Sequence, residues 1–199
     1  GGIHPKTGEY YANYHLEGCG WGAKAYDDGN DCTIVVNGNC RNTPVEIFET
    51  RYPLETVEYS LITDSGGAGK FRGGLGTRRI MRVGEGAEVT ASALFDRTKG
   101  RFQAWGLEGG KPGGYGAIRI KRKGDTEFRT FPEVFGTVSA SKFTNVVLRE
   151  GDEVLLDSPG GGGFGDPRER DRQKLAEDVA EGRVSPEAAR ELYGWTGEE

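Results

Sequence analysis

The chain has 199 residues, enough for one domain, or one domain with a small appendage, whose core needs no disulfide or metal staple. A formal charge of -5 argues against a surface built to neutralise nucleic-acid phosphates, and no apolar run reaches the ~18 residues that span a membrane. Thirty-four glycines without a Gly-X-Y period demand many turns or close backbone approaches, which points to a β-rich fold with functional loops.

In chain order, Tyr11 to Leu16 reads as a short strand, Gly18-Cys19-Gly20-Trp21-Gly22 as a glycine turn, and Cys32 to Val36 as a β-branched strand. Between Thr56 and Ile62, Val57, Tyr59 and Leu61 alternate with Glu58 and Ser60, which predicts one buried and one wet face. Further strands are expected at Arg78 to Val83, Glu88 to Phe95, Ala117 to Arg122, Glu127 to Phe131 and Glu153 to Leu156. Short strands divided by glycine-rich connections predict a mainly β fold, a β-sandwich or barrel-like body over residues 1–165.

At Asp166 the pattern turns helical. Asp166-Pro167 followed by Glu169 resembles a capped helix start, Leu175 and Val179 share a face, and Gly182 stands at a stop. Ser185 as N-cap, Pro186 in the first turn and Gly194 as terminator then bound a second short helix. This tail, residues 166–199, holds ten acids against six bases and so carries most of the net charge. Its sparse apolar residues, Leu192 and Tyr193 among them, require packing on the β body or on a partner. Cys19, Cys32 and Cys40 are an odd set without a CxxC pair, which favours free thiols in a cytoplasmic setting. The start, Gly1-Gly2-Ile3-His4, lacks signal-peptide architecture and a Met, as expected of a piece of a longer or processed product.

The most informative stretch runs Asp64-Ser65-Gly66-Gly67-Ala68-Gly69-Lys70-Phe71-Arg72-Gly73-Gly74-Leu75-Gly76. Successive backbone N–H groups there can make an anion-holding nest, with Lys70 and Arg72 adding charge; a tight glycine turn carrying surface cations is the competing reading. It is no Walker A loop, because Asp64 replaces the first glycine and Phe71 the magnesium-binding Ser/Thr. A second stretch, Gly160-Gly161-Gly162-Gly163 up to Asp166, implies a close backbone approach, with packing or an interface favoured over a ligand. Asp96 and Arg97 offer a carboxylate and a guanidinium that a salt-bridged loop would also explain. His4 and His15 have no partner at zinc-like spacing, and no GxSxG or Cys/His signature supports a self-contained hydrolase.

Asn42-Thr43-Pro44-Val45-Glu46, Arg51-Tyr52-Pro53-Leu54 and the Asp64 to Gly76 stretch resemble successive landmarks of the hydantoinase B/oxoprolinase family. Pro159 to Pro167, then Asp178-Val179, Gly182, Val184-Ser185-Pro186-Glu187-Ala188-Ala189 and Tyr193-Gly194, resemble that family's C-terminal signature, so the resemblance covers essentially the whole chain. Cys19 departs from it, standing where relatives commonly have glycine. The resemblance implies an enzyme complex in which an ATP-binding, hydantoinase A-like subunit, holding ATP with Mg, phosphorylates a small-molecule substrate. The substrate classes implied are hydantoins, oxoproline and lactams for hydrolysis, or ketones for carboxylation. It also implies that a divalent metal, where present, belongs to the family's N-terminal part, and that this chain supplies anion-binding or docking surface short of the whole active site, or a non-catalytic assembly module; it assigns no catalytic residue here.

Overall fold

The computed structural model describes residues 1–34 and 40–197. A small antiparallel ribbon, β1 (Gly2–Ile3) and β2 (Tyr10–Tyr11), opens the chain. It is followed by α1 (Val45–Arg51), β3 (Leu54–Leu61), β4 (Thr77–Val83) and β5 (Glu88–Leu94). After a long connection come β6 (Ala117–Lys121), α2 (Phe131–Phe135), β7 (Lys142–Arg149), β8 (Glu153–Asp157), α3 (Arg172–Ala180) and α4 (Pro186–Tyr193).

Two antiparallel sheets, β3-β4-β8-β6 and β5-β7, share one core. Val83, Ile118, Ile120 and Leu156 from the first meet Val89, Val146 and Leu148 from the second, around Phe131 of α2. Phe131 also stacks on Phe143, with ring centroids 4.0 Å apart. Burying each such side chain stabilises the fold by about 1.5–3 kcal/mol relative to exposing it, so this layer holds the sheets together. The result is the expected β-sandwich, and the described strands form no closed barrel.

Local expectations fared unevenly. β4, β5, β6 and β8 form where strands between glycine-rich connections are expected. β3 forms too, but its faces are reversed: Val57, Tyr59 and Leu61 are exposed while Thr56 and Glu58 are half-buried. The strand lies at the sheet edge, and its register against β4 shifts between Thr56 and Glu58. A bulge re-aims every side chain beyond it.

Tyr11 to Leu16 contributes only its first residue, to β2. Of Cys32 to Val36, Thr33 makes a two-way backbone bridge with Cys19, and positions 35 and 36 lie outside the described residues. Within Glu127 to Phe131 only Arg129 pairs, with Ile120, because Phe131 starts α2. Thr130 and Glu133 form a capping box there, and Gly136 ends the helix at φ 68°. β7 escaped notice because Thr144 and Asn145, the latter at φ 55°, break its apolar run.

Both C-terminal helices form with their expected caps, with one refinement. Asp166 caps a single 3₁₀ turn, Pro167–Glu169, and Asp171 caps α3 itself. Leu175, Val184, Ala189 and Tyr193 pack on Ala68 of the first glycine stretch. Ser185 Oγ accepts from the Ala188 amide at 3.0 Å. Ser185→Ala is therefore expected to lower unfolding stability by about 1 kcal/mol, read as a reduced urea midpoint at unchanged slope.

Candidate functional site

The two glycine stretches meet. Residues 159–165 thread the middle of a bundle whose other members are residues 20–30, 65–76 and 104–114. The Gly67 amide donates to Gly161 O at 2.8 Å, and the Gly161 amide donates to Gly74 O at 2.9 Å. One residue on, Gly162 O accepts from Ala23 N at 2.8 Å; Gly163 N then donates to Lys111 O, and Gly163 O accepts from Leu107 N, both at 2.9 Å. Consecutive residues thus bond to different neighbours on all sides, which a strand in a flat sheet cannot do. This arrangement leaves few backbone groups of the segment unpaired without any regular sheet.

Glycine is required because backbone meets backbone. A Cβ on Gly160 would stand 1.7 Å from Ser65 O, and one on Gly161 1.9 Å from Trp21 O. The same crowding reserves the axis of the collagen triple helix for glycine. The close approach expected at Gly160 to Gly163 is therefore made by the chain's own backbone.

A buried charge network locks this bundle to the helical tail. Arg72, 2 % exposed, donates from Nη1 to Gly73 O at 2.7 Å and to Asp31 Oδ1 at 3.2 Å, and from Nε to Asp178 Oδ2 at 3.4 Å. Arg170, equally buried, grips Asp28 through both terminal nitrogens at 2.8 Å and reaches Asp178 Oδ2 at 2.7 Å. Asp28 also accepts the Arg72 amide, and Asp31 the Leu75 amide, each at 2.7 Å. Two guanidiniums and three carboxylates thereby pair and tie the Asp28 to Asp31 loop, the first glycine stretch and α3 together, with only Arg170 Nε among their described buried atoms left without a partner. Burial also pushes the hydroxyl of the adjacent Tyr193 up to about 12.

Burial alone would raise the Asp28 carboxyl, but its bonds to Arg170, that residue's charge and the Arg72 amide outweigh it and hold Asp28 below its ordinary value. A carboxyl depressed in the folded state stabilises the protein above its unfolded value, about pH 4, and that contribution disappears as pH falls through the folded value. Denaturant midpoints should therefore drop below about pH 4. The Asp28→Asn variant should start lower and fall less over the same interval.

The remaining sequence-derived candidates distribute as follows. Asp64, at φ 62°, accepts the Ser185 amide at 2.8 Å and so anchors α4. Ser65 Oγ donates to Ile62 O at 2.6 Å and accepts Gly76 N at 3.0 Å. Gly66, Gly67, Gly73 and Gly74 pack inside the bundle. Lys70 is exposed, 3.3 Å from Glu169, beside a concavity that also carries Glu108 and Asp166. With one ammonium among three carboxylates, this concavity does not fit a triphosphate.

Asp96 pairs with Lys142 at 3.1 Å, and Arg97 stands exposed on the same loop, away from the charge network. The fold thus unites Asp64 to Gly74 with Gly160 to Asp166 and leaves Asp96 and Arg97 apart. Asp28, Asp31, Arg170 and Asp178 were not foreseen, since isolated acids in a loop and a solvated-looking tail carry no spacing signal. Among the described residues no group of three or more His, Cys, Asp or Glu could hold a metal ion, and no helix is long and apolar enough to cross a membrane.

The profile of the hydantoinase B/oxoprolinase family matches residues 1–167. The chain belongs to this family. An uncharacterised protein of Methanocaldococcus jannaschii is 36% identical over 186 residues, 94% of this chain and 30% of that protein. The caprolactamase subunit beta of Pseudomonas jessenii is 32% identical over 189 residues, 86% of this chain and 28% of that subunit. The solved structure of that organism's ATP-dependent caprolactamase superposes with a TM-score of 0.71 at 28% identity, covering 88% of this chain and 29% of the other. A nucleotide-free acetone carboxylase gives the same TM-score at 26% identity, over 89% and 26%. This hydantoinase B-like chain is thus related to caprolactamase and acetone carboxylase, and spans less than a third of the length of these relatives.

Proposed function

We propose that this chain is the C-terminal portion of a hydantoinase B-like subunit in an ATP-dependent complex that opens cyclic amides such as hydantoins, oxoproline or lactams. The observation that carries the proposal is the likeness to caprolactamase across 88% of the chain, in sequence and in fold. In this reading a hydantoinase A-like partner binds ATP with Mg and transfers phosphate to the amide oxygen. Phosphorylation lowers the barrier by turning an inert amide into an electrophile with a workable leaving group. In this reading any divalent metal belongs to the family's N-terminal part.

This chain's own contribution is a rigid body. The glycine bundle and its charge network fix the shape of a docking face. In this reading the chain works only within the complex, in the cytoplasm.

The likeness to acetone carboxylase favours one second reading, an ATP-dependent ketone carboxylase. The gene product carrying this chain, co-expressed with its ATP-binding subunit, decides between them. Ring opening with matching ADP release from hydantoin, oxoproline or caprolactam is the expected result. ADP release that requires bicarbonate and a ketone would replace the hydrolase with the carboxylase. ADP release with neither substrate set would remove both and leave a non-catalytic assembly role.

A further inference from the structure

Residues 104–114 form an outer layer of the glycine bundle, and that position dictates where their side chains go. Gly106, Gly110 and Gly113 lie against the backbone of other segments with no room for a Cβ. The backbone of Trp105 presses on Gly162, so its indole must point outward, and it is 73 % exposed. Phe102, at 64 %, with Leu107 and Tyr115, continues the exposed apolar row. Trp105 is forced to face water, and Phe102, Leu107 and Tyr115 face it too, where polar side chains would be the cheaper choice.

The loop leading into this row is built, not loose. Phe95 N donates to Ser141 O at 2.8 Å, Gly116 N to Arg97 O at 3.0 Å, Tyr115 Oη to Gly100 O at 2.9 Å and Gln103 Nε2 to Gly113 O at 2.6 Å. Arg97 is held in the left-handed region at φ 54°. Arg97, Lys99 and Arg101 have no carboxylate partner among the described residues, whereas neighbouring Asp96 is taken by Lys142. Three unpaired cations within five residues thus flank exposed aromatics on a pinned loop. Aromatic residues and arginine are what the buried centres of protein interfaces favour.

We propose that Arg97, Lys99 and Arg101 with Phe102, Trp105 and Leu107 form the docking surface for an acidic, apolar-centred face of the ATP-binding subunit. This rests on the two-subunit reading above. Charge complementarity selects the occupant: three cations without carboxylate partners beside an apolar centre, on a chain of net charge -5, suit an acidic protein patch better than a phosphate lattice or a lipid surface.

The test measures affinity between the ATP-binding subunit and the gene product carrying this chain, by calorimetry at two salt concentrations. The triple variant Arg97→Glu, Lys99→Glu, Arg101→Glu is expected to raise Kd by about tenfold or more and to reduce the salt dependence. Trp105→Ala should speed dissociation, and the reversal of three exposed tail cations, Arg168→Glu, Lys174→Glu, Arg190→Glu, should leave Kd unchanged. Thermal melting of every variant checks the fold. Wild-type affinity in the triple variant overturns the proposal while the two-subunit reading stands. No association of the wild-type chains overturns both. Patch-dependent binding to anionic vesicles or to a DNA duplex, or patch-dependent self-association, overturns the proposal in favour of that occupant.

Discussion

Gly161→Ala should leave little folded protein. Its new methyl would fall 1.9 Å from Trp21 O and 2.7 Å from Gly22 N, both main-chain atoms with no flexible end to yield. Making room means parting residues 159–165 from the loop at Trp21, which sacrifices the bonds of Gly161 to Gly67 and Gly74. Ordinary overpacking costs about 1–3 kcal/mol, and losing the paired backbone groups as well brings the expected loss to about 4 kcal/mol or more. Gly22→Ala is the matched control, since a methyl there meets only Gly162 O, at 3.9 Å. It should stay within about 0.5 kcal/mol of the parent. Chemical denaturation with circular dichroism reads both, and parent-like stability in Gly161→Ala would refute the backbone-on-backbone bundle.

Arg72→Met should destabilise by about 3 kcal/mol, because it removes a buried guanidinium from half-buried Asp31 and buried Asp178, leaving Asp178 to Arg170 and Asp31 to the Leu75 amide and the distant Arg183. Adding Asp178→Asn should cost less than the sum of the two single changes, as members of one network couple. Denaturant midpoints of the two single variants and the double variant provide the check. If Arg72→Met instead weakened assembly at unchanged stability, Arg72 would be the exposed docking cation that its neighbours in sequence suggest.

That last contrast shows what local pattern can and cannot convey. The strands β4, β5, β6 and β8 are legible as short runs between glycine-rich connections, and Ser185, Pro186 and Gly194 mark α4 with residues whose backbone preferences are intrinsic. Burial is not intrinsic. Val57, Tyr59 and Leu61 alternate as a half-buried strand should, yet a bulge and an edge position turn them outward.

Arg72 reads as a surface cation between glycines, and only the three-dimensional approach of Asp28, Asp31 and Asp178, up to 106 positions away, makes it interior. The glycine stretches were legible as unusual, but glycine marks a close approach without naming what approaches. The neighbour proved to be the same chain, and the side chain forced outward by it, Trp105, acquires meaning only once the bundle is known. Membership of the hydantoinase B/oxoprolinase family was legible from the order of motifs, because motif order survives where individual contacts cannot be read.

The bundle also constrains how the molecule comes into being. Its four members are drawn from residues 20–30, 65–76, 104–114 and 159–165, so the central one is the last to leave the ribosome. Until then the amides and carbonyls of the first three that bond residues 159–165 remain open to solvent or to other nascent chains. Contacts of such long range make for slow closure and a prolonged aggregation-prone interval. Closure of the bundle must therefore wait for residues 159–165, and synthesis halted before Gly165 would release a chain that cannot reach this structure.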